Sequence, residues 1–130
     1  MSDAIELEHV GIPTSLENYA KTVAFYTDVF GWEVLRQIHP PLPATQITFV
    51  SDRHGSRLEI LTSDGPPIDD PAHLAFAVPI AGYPALKAKL EAAGVVFDVE
   101  RTNSAGDTMA FFRDPAGNRA QLVGRLTPLA

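Results

Sequence analysis

The sequence predicts a single α+β domain of two βαβββ modules, their mixed sheet curving around a cavity with helices on the outer face. Three observations point there. Each half runs strand, helix, then three strands, so one plan occurs twice. Neither half, at roughly 60 residues, would bury enough surface to be comfortable alone. Polar residues also recur at matching places on the first and last strands of the two halves.

The first half opens with a strand, "IELEHVGIP", Ile5 to Pro13. A helix follows in "LENYAKTVAFYTDVFG", where Tyr19, Val23, Tyr26 and Phe30 fall at helical spacing. Ser15 or Thr14 is placed to cap its start, and Gly31 to stop it. Strands are expected in "WEVLRQI", "TQITFVS" and "SRLEILT", with the turn "DRHG" between the last two and His54 exposed in it. The connector "SDGPPIDDP" reads as ordered. The second half offers a strand in "AHLAFAVP" and a helix in "YPALKAKLEAAG", with Pro84 in its first turn and Gly94 at its end. Strands "VVFDVE", "TMAFFRD" and "RAQLVG" complete it. Module 1 is expected over about 5–62, the connector over 63–71 and module 2 over about 72–125.

Composition narrows the function classes. Hydrophobic residues make up 45% of the chain, enough for a core, and charged residues are spread along it. The net charge of −6 argues against a nucleic-acid partner, which needs a basic surface. No basic amphipathic helix or long apolar run suggests a membrane partner. The start shows no signal-peptide pattern, so a cytoplasmic location is expected. Cysteine is absent, so disulfides, thiolate ligands and cysteine nucleophiles are excluded.

Strand alternation assigns faces. Val10 with Ile12, Leu58 with Ile60, Leu74 with Phe76 and Val78, and Ala120 with Leu122 form apolar faces suited to the helices. The opposite faces carry His9, Glu59, His73 and Gln121 beside several small residues. His9 precedes Glu59 by 50 residues and His73 precedes Gln121 by 48. Two imidazoles, a carboxylate and an amide oxygen suit a divalent metal ion. A polar-lined pocket, or a sheet face covered by another chain, fits the same pattern. Arg57 and Arg119 share this side and are candidates for a substrate carboxylate, or for rim charges paired with nearby acids. Phe49, Met109 and Phe111 are candidate pocket-lining residues, with core packing as the alternative.

At "HVGI", "TVAFYTDVFGWEVL", "LEIL", "HLAFAV" and "DPAGNRAQLV" the chain resembles the vicinal oxygen chelate superfamily. That group includes glyoxalase I, methylmalonyl-CoA epimerase, extradiol dioxygenases, fosfomycin-resistance enzymes and bleomycin-binding proteins. The resemblance implies paired βαβββ modules, frequent homodimers, and a divalent metal (Zn, Ni, Fe, Mn, Co or Mg) held by the first and last strands of each module. It places His9, Glu59, His73 and Gln121 at that metal. The enzymes characteristically chelate two neighbouring substrate oxygens there, with the metal as Lewis acid.

Two departures shape the functional expectation. The usual closing motif resembles "DPxGNxxEL", and here the Glu place is Gln121, which cannot take a proton at neutral pH. Glu59 is then the candidate base. Residues that help bind glutathione in glyoxalase I are replaced by Pro13 and Ser63. The expectation is therefore a glyoxalase-like, metal-dependent lyase or isomerase acting on a small oxygenated metabolite, not glutathione-dependent. A ring-cleaving Fe(II) dioxygenase using His9, His73 and Glu59 is the second reading, with His39 or Tyr26 as nominees for a further acid or base. A metal-independent binding or resistance protein is the third.

Overall fold

A computed structural model describes residues 4–129. The chain divides into two compact units, Met1–Pro66 and Pro67–Ala130, so the division falls inside the connector. Each unit is a βαβββ module with its own four-stranded mixed sheet.

Unit 1 contains β1 (Val10–Thr14), α1 (Leu16–Ala24), β2 (Glu33–Ile38), β3 (Ile47–Ser51) and β4 (Arg57–Thr62). The strand order is β1-β4-β3-β2. β1 runs parallel to β4 and the other pairs are antiparallel, as a helical crossover between β1 and the rest requires. Ile12, Val50, Leu58 and Ile60 are buried on the face that α1 covers. Ser15 caps the helix, its hydroxyl accepting from the Asn18 amide at 3.2 Å.

Two details differ from the sequence reading. The helix does not stay α-helical to Gly31: it widens into a π turn over Phe25–Val29. The wider turn lets consecutive residues Phe25 and Tyr26 both reach the core, where they meet Phe30 and Trp32 in an aromatic cluster. The first strand starts at Val10 rather than Ile5. Its partner β4 begins at Arg57, with Leu58 opposite Val10, and offers almost nothing for the earlier residues to pair with.

Unit 2 contains β5 (Leu74–Pro79), α2 (Tyr83–Ala92), β6 (Val99–Thr102), β7 (Thr108–Arg113) and β8 (Arg119–Arg125). Its order is β5-β8-β7-β6, again with only the first pair parallel. Phe112, Ala120, Leu122 and Leu90 form the core. α2 lies over β8, where Gly124 makes room: a Cβ there would sit 2.8 Å from the Tyr83 Cβ. The strand expected in "VVFDVE" begins only at Val99. The preceding residues finish the helix instead. Gly94, at φ +96°, lets the Val95 amide donate to the Leu90 carbonyl, and Phe97 packs edge-on against Phe112.

The last strand of each module starts from the same turn. In "DPAGN", the Asp114 carboxylate accepts from the amides of Ala116 and Asn118, both at 2.9 Å. In "DRHGS", Asp52 accepts from the amides of His54 and Ser56 at 2.8 and 3.0 Å. Gly117 and Gly55 take positive φ in the two turns, and Arg53, opposite Pro115 in the alignment, does so as well in the first. Asn118 adds what Ser56 does not. It is fully buried, donates to Asp114 and accepts from the Ile68 amide at 2.9 Å. The Arg119 amide donates to the Ile68 carbonyl, so the end of the connector is fastened to the head of β8.

Two predictions follow from this packing. Asn118→Ala removes a donor to the buried Asp114 carboxylate and the acceptor of the Ile68 amide, and should cost roughly 2–3 kcal/mol in urea unfolding, while Ser56→Ala costs under about 1. The second concerns acid. Hydrogen bonds from Arg113, Arg119 and Tyr83 hold the carboxyls of Asp69, Asp98 and Glu100 below their ordinary values. The Leu126 amide does the same for Asp107. Folded values below unfolded ones stabilise the protein above the unfolded range and lose that effect as pH falls through the folded values. The unfolding midpoint should therefore be flat near neutrality and fall below about pH 4.

Candidate functional site

The two modules build the same three-residue arrangement. His9 stands one residue before β1, and His73 one residue before β5. In unit 1 the His9 ring meets Phe49 edge-on, with centroids 5.4 Å apart. Phe49 lies directly across from Glu59 in the β3–β4 pair, so both point to the face away from α1. In unit 2 the His73 ring meets Phe111 edge-on at 5.6 Å, and Phe111 lies directly across from Gln121. Histidine, aromatic ring and Glu or Gln thus recur at equivalent places.

Each imidazole is anchored through Nδ1. The Glu8 carboxylate lies 2.9 Å from Nδ1 of His9, and the Pro71 carbonyl 3.0 Å from Nδ1 of His73. Both partners are acceptors, so each Nδ1 donates, and in the neutral ring the lone pair then belongs to Nε2. That is the arrangement in which a metal-binding histidine is held. Nε2 of His9 faces the Glu59 carboxylate at 3.8 Å. This is too long for a hydrogen bond. It is within an ångström of the spacing, roughly 3 Å, between neighbouring ligands on one cation with bonds of about 2.1 Å. Gly11, opposite Glu59 on β1, leaves the carboxylate its place: a Cβ there would come within 3.3 Å of Oε1.

Gln121 is buried, with its amide nitrogen 3.2 Å from the Met109 sulfur. That contact turns the amide oxygen the other way. Each unit therefore sets one histidine and one oxygen-bearing side chain beside the same phenylalanine. The donor set suits a divalent ion, but two donors do not complete a coordination shell. Among the described residues, no three His, Asp or Glu side chains gather into a ready metal site.

Other nominated residues fall elsewhere. Arg119 is buried and already held by carboxylates: its two terminal nitrogens donate to Asp98 at 2.6 and 3.1 Å, and Nε to Asp70 at 3.3 Å. Its charge is neutralised inside unit 2 rather than left for a substrate carboxylate. Arg57 is exposed and donates to the Glu8 carbonyl at 3.3 Å. Phe49 and Phe111 support the histidine rings, and Met109 supports Gln121. Tyr26 is fully buried in the aromatic cluster. His39 bonds to the Tyr19 hydroxyl, which also bonds Thr48. Thr48 precedes Phe49 on β3 and points to the opposite face. Neither Tyr26 nor His39 stands beside His9 as a further acid or base. His54 is exposed in its turn, as expected.

Sequence reasoning missed the Nδ1 anchors and the role of the two phenylalanines. A signal for the repeat was available. Laying "DRHGSRLEI" over "DPAGNRAQL" puts Asp52 on Asp114, Gly55 on Gly117, Arg57 on Arg119 and Glu59 on Gln121.

The glyoxalase family protein from Enterococcus faecalis is similar, at 32% identity over 91% of this chain and 96% of that one, with a TM-score of 0.73. A variant of the fosfomycin resistance protein FosX from Listeria monocytogenes, complexed with Mn(II) and 1S,2S-dihydroxypropylphosphonic acid, is similar in fold. It is 21% identical over 95% of this chain and 93% of that one, with a TM-score of 0.75. The monoclinic form of FosX gives 20% identity, coverage of 97% of each chain and a TM-score of 0.77. No curated protein sequence matches. The family model for the glyoxalase, bleomycin resistance protein and dioxygenase superfamily matches residues 6–122, from the start of module 1 into the last strand of module 2. The chain belongs to the Glyoxalase/Bleomycin resistance protein/Dioxygenase superfamily.

Proposed function

We propose that the protein is a glyoxalase-like, metal-dependent lyase or isomerase acting on a small oxygenated metabolite, and that it works as a homodimer. His9, Glu59, His73 and Gln121 are its metal donors. The observation that carries this reading is the repeated arrangement itself. Both imidazoles have Nδ1 tied to an acceptor and Nε2 left open, each beside a ring that faces a Glu or Gln. A core or surface histidine has no need of that arrangement twice.

A divalent ion bound there would supply Lewis acidity to a substrate carbonyl. The chain's own residues divide the remaining work. Glu59 is the carboxylate of the set and is partly accessible, so it can take a proton from the carbon next to that carbonyl and return it. Gln121 offers an amide oxygen and moves no proton. His9 and His73, with Nδ1 engaged, act as fixed nitrogen donors. Pro13 and Ser63 give no charged or amide group to hold glutathione, which favours a smaller substrate.

Metal titration of the purified chain tests the reading. Mn(II), the ion in the FosX complex, should bind at one ion per chain at micromolar concentration, and chelation should remove it. Gln121→Glu adds a negative charge to the donor set and should tighten binding. Glu59→Gln should weaken it, and in a turnover assay should cost on the order of 100-fold or more while the fold persists. A folded wild-type chain that binds no divalent ion at micromolar concentration overturns the reading.

A further inference from the structure

We infer that Arg119 is a positioning residue for His73: through Phe111 it holds the imidazole in its orientation. The starting point is a buried cation that the proposed reaction does not use. Arg119 heads β8, two residues before Gln121, and is 6% exposed. Burying a guanidinium is costly unless its donors and charge are matched. Here Asp98 takes both terminal nitrogens in a fork and Asp70 takes Nε. The Asp98 carboxyl is correspondingly held below its ordinary range by the Arg119 hydrogen bonds.

The matched guanidinium is fixed in place, and its free surface is the flat one. The Phe111 ring lies against it, 4.8 Å from the guanidinium carbon to the ring centroid. Arg101 approaches the same ring at 5.8 Å. The His73 imidazole packs edge-on on Phe111. The line of support therefore runs from Asp98 and Asp70 to Arg119, to Phe111, to His73. Asp70 also lies in the segment that leads into His73, so Arg119 grips that segment directly. The Pro71 carbonyl that anchors His73 Nδ1 belongs to the same segment.

Module 1 shows the same idea in a lighter form. Arg57, equivalent to Arg119, donates to the carbonyl of Glu8, the residue whose carboxylate anchors His9. In both modules the arginine two places before the Glu or Gln fastens the chain that delivers the histidine. This assigns the pair a different role from binding a substrate carboxylate. It rests on the proposed function only where His73 is called a metal donor; the orientation of its ring is a property of the chain itself.

The experiment therefore reads the ring first. In the full-length metal-free protein, proton NOEs are measured between the His73 and Phe111 rings, with the His9–Phe49 pair as internal reference. Arg119→Lys keeps the charge but replaces three donor nitrogens with one, so the planar fork and the stack are lost. It should leave a folded spectrum and the His9–Phe49 signal intact, while the His73–Phe111 NOE falls several-fold. Its Mn(II) affinity should fall by about 10-fold, as for loss of an outer support of a metal ligand. Arg119→Met should do the same or more. A folded Arg119→Lys protein with the His73–Phe111 NOE at wild-type strength overturns the inference, even if the variant is less stable. A wild-type protein that binds no Mn(II) overturns the metal reading, and the NOE comparison still decides the role of Arg119.

Discussion

Each module depends on one local constraint, the aspartate turn that starts its last strand. The carboxylates of Asp52 and Asp114 gather two backbone amides apiece, and a glycine at positive φ lets the chain reverse within that short span. The turn fixes where β4 and β8 begin. Side chains alternate along a strand, so a slip of one residue would send every side chain to the other face. With the start fixed, Leu58, Ile60 and Leu122 fall on the core side, while Glu59 and Gln121 face Phe49 and Phe111. The histidines then need only a parallel strand beside β4 or β8, which β1 and β5 supply.

The modules share a plan but differ in how firmly they hold it. In unit 2, Asn118 and Arg119 are buried and tie the connector to β8 through backbone and charged hydrogen bonds. In unit 1 the equivalent Ser56 and Arg57 are exposed and make fewer bonds. The two proposed oxygen donors differ in parallel. Gln121 is buried and neutral, whereas Glu59 is ionisable and partly accessible. A proton-transferring group needs access and a change of charge, and a structural ligand needs neither. The assignment of Glu59 as base and Gln121 as fixed donor agrees with that division.

Much of this was legible in the sequence. Period-2 alternation put His9, Glu59, His73 and Gln121 opposite the apolar residues, and it does so even for β8, which is buried on both faces. Gly31 and Gly94 marked helix ends because positive φ is cheap for glycine. Other features were not legible. The π turn at Phe25–Val29 gives no period of its own over so few residues. The late start of β6 reflects a helix cap that uses residues with strand propensity. The acids that pair with Arg119 could not be named from the sequence, because Asp70 and Asp98 are 49 and 21 residues away in the chain. Pairing over such separations is set by the finished sheet, not by local pattern.

The central proposal is that His9, Glu59, His73 and Gln121 hold a single divalent ion, one histidine nitrogen and one side-chain oxygen coming from each module. Pulsed EPR of the Mn(II)-loaded chain, with histidine labelled by ¹⁵N, counts those nitrogens directly. The account predicts coupling to imidazole nitrogens from both histidines, with His9→Ala and His73→Ala each removing one of the two. Coupling to a single histidine, or coupling that survives both substitutions, would contradict it.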